Sequence, residues 1–182
     1  MLADIGLEAT TQQIITSAQA VLQLVADEVP AASKLLIIGA DSFRDLAREM
    51  GFEVVSSADD KPAAVVQGFD RSVGWEQLTE GALAIRQGAK FFASNLDTSL
   101  PIERGFAVGN GSLVAAIQSA TGVEPVSAGK PEPAMFTFAA KQIGAKKPLA
   151  VGDRLDTDIA GGNSAAMNTF HVLTLSLIHI SE

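Results

Sequence analysis

The sequence contains no cysteine, and that one absence removes disulfides, thiolate nucleophiles and zinc-thiolate sites together. It has no apolar run approaching the ~18 residues of a membrane span, and its first residues carry neither the basic nor the apolar block of a signal peptide. A cytoplasmic location, away from any membrane, is the expectation. No basic tract offsets the net charge of −8, which is carried by scattered acids, so nucleic acid and anionic surfaces are not expected partners. Repeats and low-complexity segments are absent too. What remains is 182 residues with 47% hydrophobic content, a chain able to bury roughly 70% of its unfolded surface as one domain or two small ones.

Two ligand patterns also fail. Gly109, Gly111 and Ser112 would open a helix at Leu113, but Val114 fills the slot of the third glycine of a dinucleotide fingerprint, and no Walker lysine follows. These residues read as turn chemistry. Counting a calcium loop from Asp153 puts Leu155, Thr157, Asp158 and Ser164 in its third, fifth, sixth and twelfth positions, which rejects an EF-hand.

The acids around Asp153 are nonetheless the most informative stretch. Leu149 to Val151 read as a short buried strand, Gly152 permits a tight turn, and Asp153 follows at the carboxyl edge of the sheet, where open α/β folds place ligands. Asp156, Thr157 and Asp158 come next, where a helix beginning near Asp158 wants capping oxygens and negative charge. The three carboxylates therefore read either as caps and loop charges or as a metal site. So few carboxylates suit Mg²⁺, which keeps several waters and is completed by a substrate phosphate. Upstream, Pro131 biases Lys130 toward an extended conformation, and Pro131, Glu132 and Pro133 suit the opening turn of a helix running to about Ile143. A lysine at a helix N-terminus opposes the helix dipole, which makes sense where an anion is shared between the two; the alternative is a solvated loop lysine.

Periodicity supplies the rest. Helices are expected over Thr16 to Asp27, Ser42 to Met50 (closed by Gly51) and Trp75 to Gln87 (stopped at Gly88), with Trp75 a core or interface aromatic. Strands are expected over Lys34 to Ile38, Phe52 to Val55, Ala63 to Gln67 and Phe91 to Ala93. Asn95 to Arg104 reads as a loop, and His171, in an apolar strand-like run, as packing. The alternation implies an α/β architecture with mostly parallel strands.

The strings AGKPEPAMF and VGDRLDTDIAGG resemble the third and fourth signature motifs of the haloacid-dehalogenase (HAD) superfamily, in particular its NagD-like branch of p-nitrophenyl and phosphoglycolate phosphatases. LLIIGADSFRDLAREMGFEVV, AAVVQGFDRSVGWEQLTEGALAI, FFASNLDTSLP and GFAVGNGSLVAAIQSATG resemble successive segments of that branch, so the similarity covers nearly the whole chain. It implies a Rossmann-like core supplied by residues 1–16 and 123–174, with a large α/β cap inserted over 17–122. It also implies roles: Lys130 neutralises phosphate, Asp153 is a Mg²⁺ ligand, and Asp158 helps hold the metal. In the cap loop, Asn95, Asp97, Leu100 and Pro101 are candidate substrate-binding positions, against the alternative of a solvated loop. The implied activity is Mg²⁺-dependent hydrolysis of a small phosphorylated metabolite through an aspartyl-phosphate, in a protein able to dimerise through its cap.

The family's DxDG string, which carries the nucleophilic aspartate, and the Thr/Ser phosphate motif are both missing from these residues. The chain is therefore expected to be a fragment that begins after the second motif and is inactive alone. Leu175 to Glu182, LSLIHISE, resembles the translation of a transposase mosaic-end sequencing adapter, so it and His179 are set aside; a C-terminal strand is the alternative. A non-catalytic module holding a phosphorylated ligand through Lys130 and Asp153, and a phosphotransferase of the same superfamily, are the competing functional readings.

Overall fold

A lysine followed by four buried aliphatic residues makes β1, Lys34–Ile38, the centre of the fold. A strand that apolar throughout is stable only when covered on both faces. The computed structural model, which describes residues 6, 8, 10 and 13–173, covers it in that way. β2 (Glu53–Val55) and β3 (Ala64–Gln67) flank β1, β4 (Lys90–Ala93) pairs with β3, and a two-residue β7 (Val126–Ser127) pairs with β4. The order is β2-β1-β3-β4-β7 and every pairing is parallel. The crossovers are α2 (Asp41–Glu49) between β1 and β2, α3 (Trp75–Arg86) between β3 and β4, and α4 (Asn110–Thr121) before β7; α1 (Ser17–Glu28) precedes the sheet. Leu36, Ile38, Val65, Phe91 and Ala93 form one core with Ala84 and Ile85 of α3 and Val114 and Ile117 of α4.

The helix ends follow from local chemistry. At the start of α1, Thr16 and Gln19 bond reciprocally: the Thr16 N–H donates to Gln19 Oε1 at 2.8 Å and the Gln19 N–H to Thr16 Oγ1 at 3.3 Å, a capping box. Gly51, at φ +89°, donates its N–H to Arg48 O at 2.9 Å and ends α2 in a left-handed conformation that favours glycine. Among the described residues no helix is long and apolar enough to cross a membrane.

Of the described residues, those up to Ala20 and from Lys130 onward form one compact unit, and Val21–Gly129 form the other. The first contains α5 (Ala134–Gln142) and a parallel pair, β8 (Leu149–Gly152) with β9 (Asn168–His171), connected through a π-helical turn (Leu155–Ile159) and α6 (Ala160–Ser164). Its interior is thin. Beyond Lys130, only Ala150, Gly161 and Gly162 are buried among the described residues, and Leu149, Val151 and Phe170 are each more than half exposed. Little apolar burial means low local stability. Limited proteolysis should therefore degrade the residues after Lys130 first and leave a fragment close to Val21–Gly129; equal amide-exchange protection across 130–173 would contradict this.

The structure corrects the sequence reading at five places. The expected loop Asn95–Arg104 instead enters an antiparallel hairpin, β5 (Ser99–Ile102) with β6 (Gly105–Val108), in which Pro101 faces Phe106. Helix α4 begins at Asn110, three residues before Leu113, because its first N–H groups find carbonyl partners in the preceding loop. Helix α5 begins at Ala134 with Pro133 as its N-cap, so Lys130 and Pro131 form a turn ahead of the helix and Lys130 does not stand at the helix start. The acidic segment turns helical at Leu155 through a π turn, not near Asp158. Trp75, expected in the core or at an interface, is 77% exposed on the first residue of α3, so it is no core aromatic. The adapter-like tail and His179 lie outside the described residues.

One residue of the sheet breaks the apolar rule. Gln67 ends β3 between Ile38 and Ala93, is fully buried, and among the described residues neither its Oε1 nor its Nε2 has a hydrogen-bond partner. An unsatisfied buried polar group costs about 1–3 kcal/mol. Gln67→Met keeps the length and removes both orphans, so it should raise the urea midpoint by the equivalent of ~1 kcal/mol or more. A loss of stability of that size would show that the amide has a partner in solution.

Candidate functional site

Gly152 closes β8 and leads the chain into Asp153, Arg154 and the π turn. The close packing there explains the glycine: a Cβ at position 152 would lie 2.2 Å from Asp158 Cβ. With that space open, the Asp158 side chain lies against the strand end, where its Oδ2 accepts the Arg154 backbone N–H at 3.2 Å. Its Oδ1 accepts from Lys130 Nζ at 2.6 Å, across 28 residues of chain. The pair is only partly shielded, with side-chain exposure of 42% for Lys130 and 15% for Asp158.

Lys130 and Asp158 are thus brought together, as a charge-assisted bond at the mouth of β8. Asp153 follows β8 directly, and its backbone carbonyl lies 3.1 Å from His171 Nε2 on β9, so His171 contributes a polar contact that a packing role does not capture. Asp156 is turned elsewhere. The Arg154 guanidinium forks onto it, with Nε and Nη2 donating at 3.2 and 2.7 Å to its two oxygens. That side-chain hydrogen bonding, with the charge of Arg154, holds the exposed Asp156 carboxyl below the usual carboxylate range. The role of Arg154 is invisible in sequence, because only the turn geometry decides which acid receives its side chain and which its backbone N–H.

The other candidate residues, Asn95, Asp97, Leu100 and Pro101, lie in the Val21–Gly129 unit. Asn95 shapes the loop after β4: its Oδ1 accepts the Asp97 N–H at 3.2 Å and its Nδ2 donates to Ser94 Oγ at 3.2 Å. Asp97, Leu100 and Pro101 are exposed, the last two on β5. Sequence reasoning missed Asn110, whose Nδ2 donates to the Asn95 carbonyl at 2.8 Å; an asparagine directly after a glycine at a helix start was the available signal.

Among the described residues no group of three or more His, Cys, Asp or Glu side chains is arranged to hold a metal. The chemistry around β8 is that of a lysine and a small number of carboxylates. This excludes an all-protein Ca²⁺ cage or a four-ligand Zn²⁺ site from these side chains, but suits Mg²⁺, which takes one or two carboxylates and keeps its waters.

A parallel α/β sheet, and a second unit with a lysine–carboxylate pair at the end of a parallel strand, define the class as an α/β protein of Rossmann-like type. Comparison with known proteins makes it specific. A HAD-hydrolase-like family model matches residues 127–175 and a haloacid dehalogenase-like hydrolase model matches residues 1–53. D-glycerol 3-phosphate phosphatase of Mycobacterium tuberculosis is 44% identical over 173 residues, which are 95% of this chain and 49% of that protein. The crystal structure of glycerol phosphate phosphatase Rv1692 from Mycobacterium tuberculosis in complex with magnesium superposes with a TM-score of 0.89 over 94% of this chain and 52% of that one. A mutant of the thermostable p-nitrophenylphosphatase from Bacillus stearothermophilus, 35% identical, superposes with a TM-score of 0.88 over 98% of this chain and 70% of that one. The chain belongs to the haloacid dehalogenase-like hydrolases. It spans about half the length of the mycobacterial phosphatase.

Proposed function

We propose that these residues supply the phosphate- and metal-holding groups of a Mg²⁺-dependent phosphomonoesterase that acts on a small phosphorylated metabolite. The observation that carries this reading is the Lys130–Asp158 pair at 2.6 Å beside the strand that ends just before Asp153. Each group then has a distinct task. Lys130 offsets charge on the phosphoryl oxygens, an electrostatic contribution that preorganisation makes large. Asp158 holds Lys130 in place through one oxygen and the Arg154 backbone through the other, so it acts as a positioning residue. Asp153 is the carboxylate assigned to the ion. When bound, Mg²⁺ would supply further neutralisation of phosphate charge.

The covalent step needs a carboxylate that is not within a DxDG string of these 182 residues. In the proposed reaction that aspartate attacks phosphorus, the alcohol departs, and water hydrolyses the acyl phosphate. The reading takes Val21–Gly129 as the cap, with Asn95, Asp97, Leu100 and Pro101 contacting the part of the substrate that leaves. Dimerisation through that cap and a cytoplasmic setting complete the proposal; sedimentation and cell fractionation test them. The activity is tested by joining the chain to a DxDG-bearing amino-terminal segment from the relatives. Hydrolysis of p-nitrophenyl phosphate that needs Mg²⁺ and disappears with EDTA supports the reading, while a folded, inactive product rejects it.

A further inference from the structure

The start of α4 is tied to one stretch of backbone by four hydrogen bonds. The Gly109 N–H donates to Thr98 O at 2.9 Å and the Gly111 N–H to Asp97 O at 2.8 Å. Ser112 Oγ donates to Thr98 O and Asn110 Nδ2 to Asn95 O, each at 2.8 Å. N–H groups that a helix start leaves without intrahelical partners are thus used to grip the carbonyls of Asp97 and Thr98. The approach is close enough to demand glycine: a Cβ would lie 2.3 Å from Asp97 O at position 109, and 2.1 Å from Leu96 O at position 111.

Within this clamp Asn110 stands out energetically. It is 2% exposed, and its Oδ1 has no hydrogen-bond partner among the described residues. A leucine would fill similar space without burying an orphan acceptor, so burial does not account for an amide here. What the amide adds is one donor, aimed at the carbonyl of the residue whose own side chain orders Asp97. Gly109, Gly111 and Ser112 hold the far end of the loop; Asn110 holds its beginning.

We propose that Asn110 is a positioning residue for substrate recognition: buried out of reach of any ligand, it fixes Asn95 and Asp97 in the geometry that recognises the phosphorylated substrate. The inference rests on the substrate role given to those two residues above.

The test uses the 182-residue chain. Amide exchange, thermal melting and the Kd for p-nitrophenyl phosphate with Mg²⁺, followed through amide shifts, are measured for wild type, Asn110→Leu, Asn110→Asp, Asn95→Ala and Asp97→Ala. Asn110→Leu should melt no lower than wild type, since it removes an orphan acceptor. Exchange at Asp97 should nevertheless accelerate about 10-fold and the Kd rise about 5- to 10-fold, the scale of one lost hydrogen bond. Asn110→Asp keeps the volume, loses the donor and should give the same two changes, which covers misfolding of the leucine variant. Unchanged exchange at Asp97 in both variants overturns the clamp. An unchanged Kd in both, with Asn95→Ala and Asp97→Ala raising it, overturns the link to recognition alone. If those two alanine variants bind as wild type, or the wild-type chain does not bind, the substrate role of the loop fails and takes the inference with it.

Discussion

Purified 182-residue protein should release no phosphate from p-nitrophenyl phosphate, with or without Mg²⁺. Phosphomonoester hydrolysis has one of the highest uncatalysed barriers known, and the best enzymes lower it by as much as ~10²¹-fold in rate. In the proposed mechanism much of that factor comes from replacing one step by two through a carboxylate nucleophile, and no DxDG string occurs in the sequence. Lys130 cannot substitute, since an ammonium engaged with Asp158 at 2.6 Å neutralises charge but attacks nothing. A phosphate assay sensitive to contaminating phosphatases decides the matter if Lys130→Met is run beside wild type. Mg²⁺-dependent turnover that co-purifies with the chain and vanishes in Lys130→Met would refute the assignment of the nucleophile to other sequence.

In protein made active by a DxDG-bearing segment, Asp153→Asn should abolish turnover and weaken Mg²⁺ binding, because it removes charge from the position assigned to the ion. Asp158→Asn should cost about 10- to 100-fold, the scale of a lost hydrogen bond to a charged group, because it frees Lys130. Lys130→Met should depress turnover even at saturating Mg²⁺, since its charge acts on the phosphoryl group rather than on the ion. Asp156→Ala should leave turnover close to wild type, because the Arg154 fork turns Asp156 away from this arrangement. Mg²⁺ titrations of turnover for the four variants separate these outcomes. Equal damage from Asp156→Ala and Asp153→Asn would mean that the wrong carboxylate has been assigned to the metal.

The parallel sheet was legible because its signals are local. Four consecutive aliphatics before Gly39 can be little else than a covered strand, and Gly51 and Gly88 stop helices whose apolar spacing is ordinary. The hairpin was not legible, since β5 carries a proline and its turn, Glu103–Arg104, lacks the Asn-Gly or Asp-Gly pair that announces a tight hairpin. The α4 start was misplaced for a related reason: its N–H partners lie in a loop a dozen residues earlier, outside any helical window. Lys130, Asp153 and Asp158 stand out in the sequence as candidates by position and by motif resemblance, whereas the ion pair between two of them, and the diversion of Asp156 to Arg154, are products of tertiary geometry.

The Val21–Gly129 unit, with its sheet and main core, is continuous in the chain, and every strand that pairs within it precedes Lys130. A ribosome adding 5–20 residues per second needs roughly 5–20 s to make a stretch of about a hundred residues, far longer than a small domain takes to fold. The order of synthesis therefore lets the Val21–Gly129 unit mature on the nascent chain while the lysine and carboxylates that follow it are still held within the ribosome. A stalled nascent chain ending a few tens of residues past Gly129 should already carry a protease-resistant Val21–Gly129 unit.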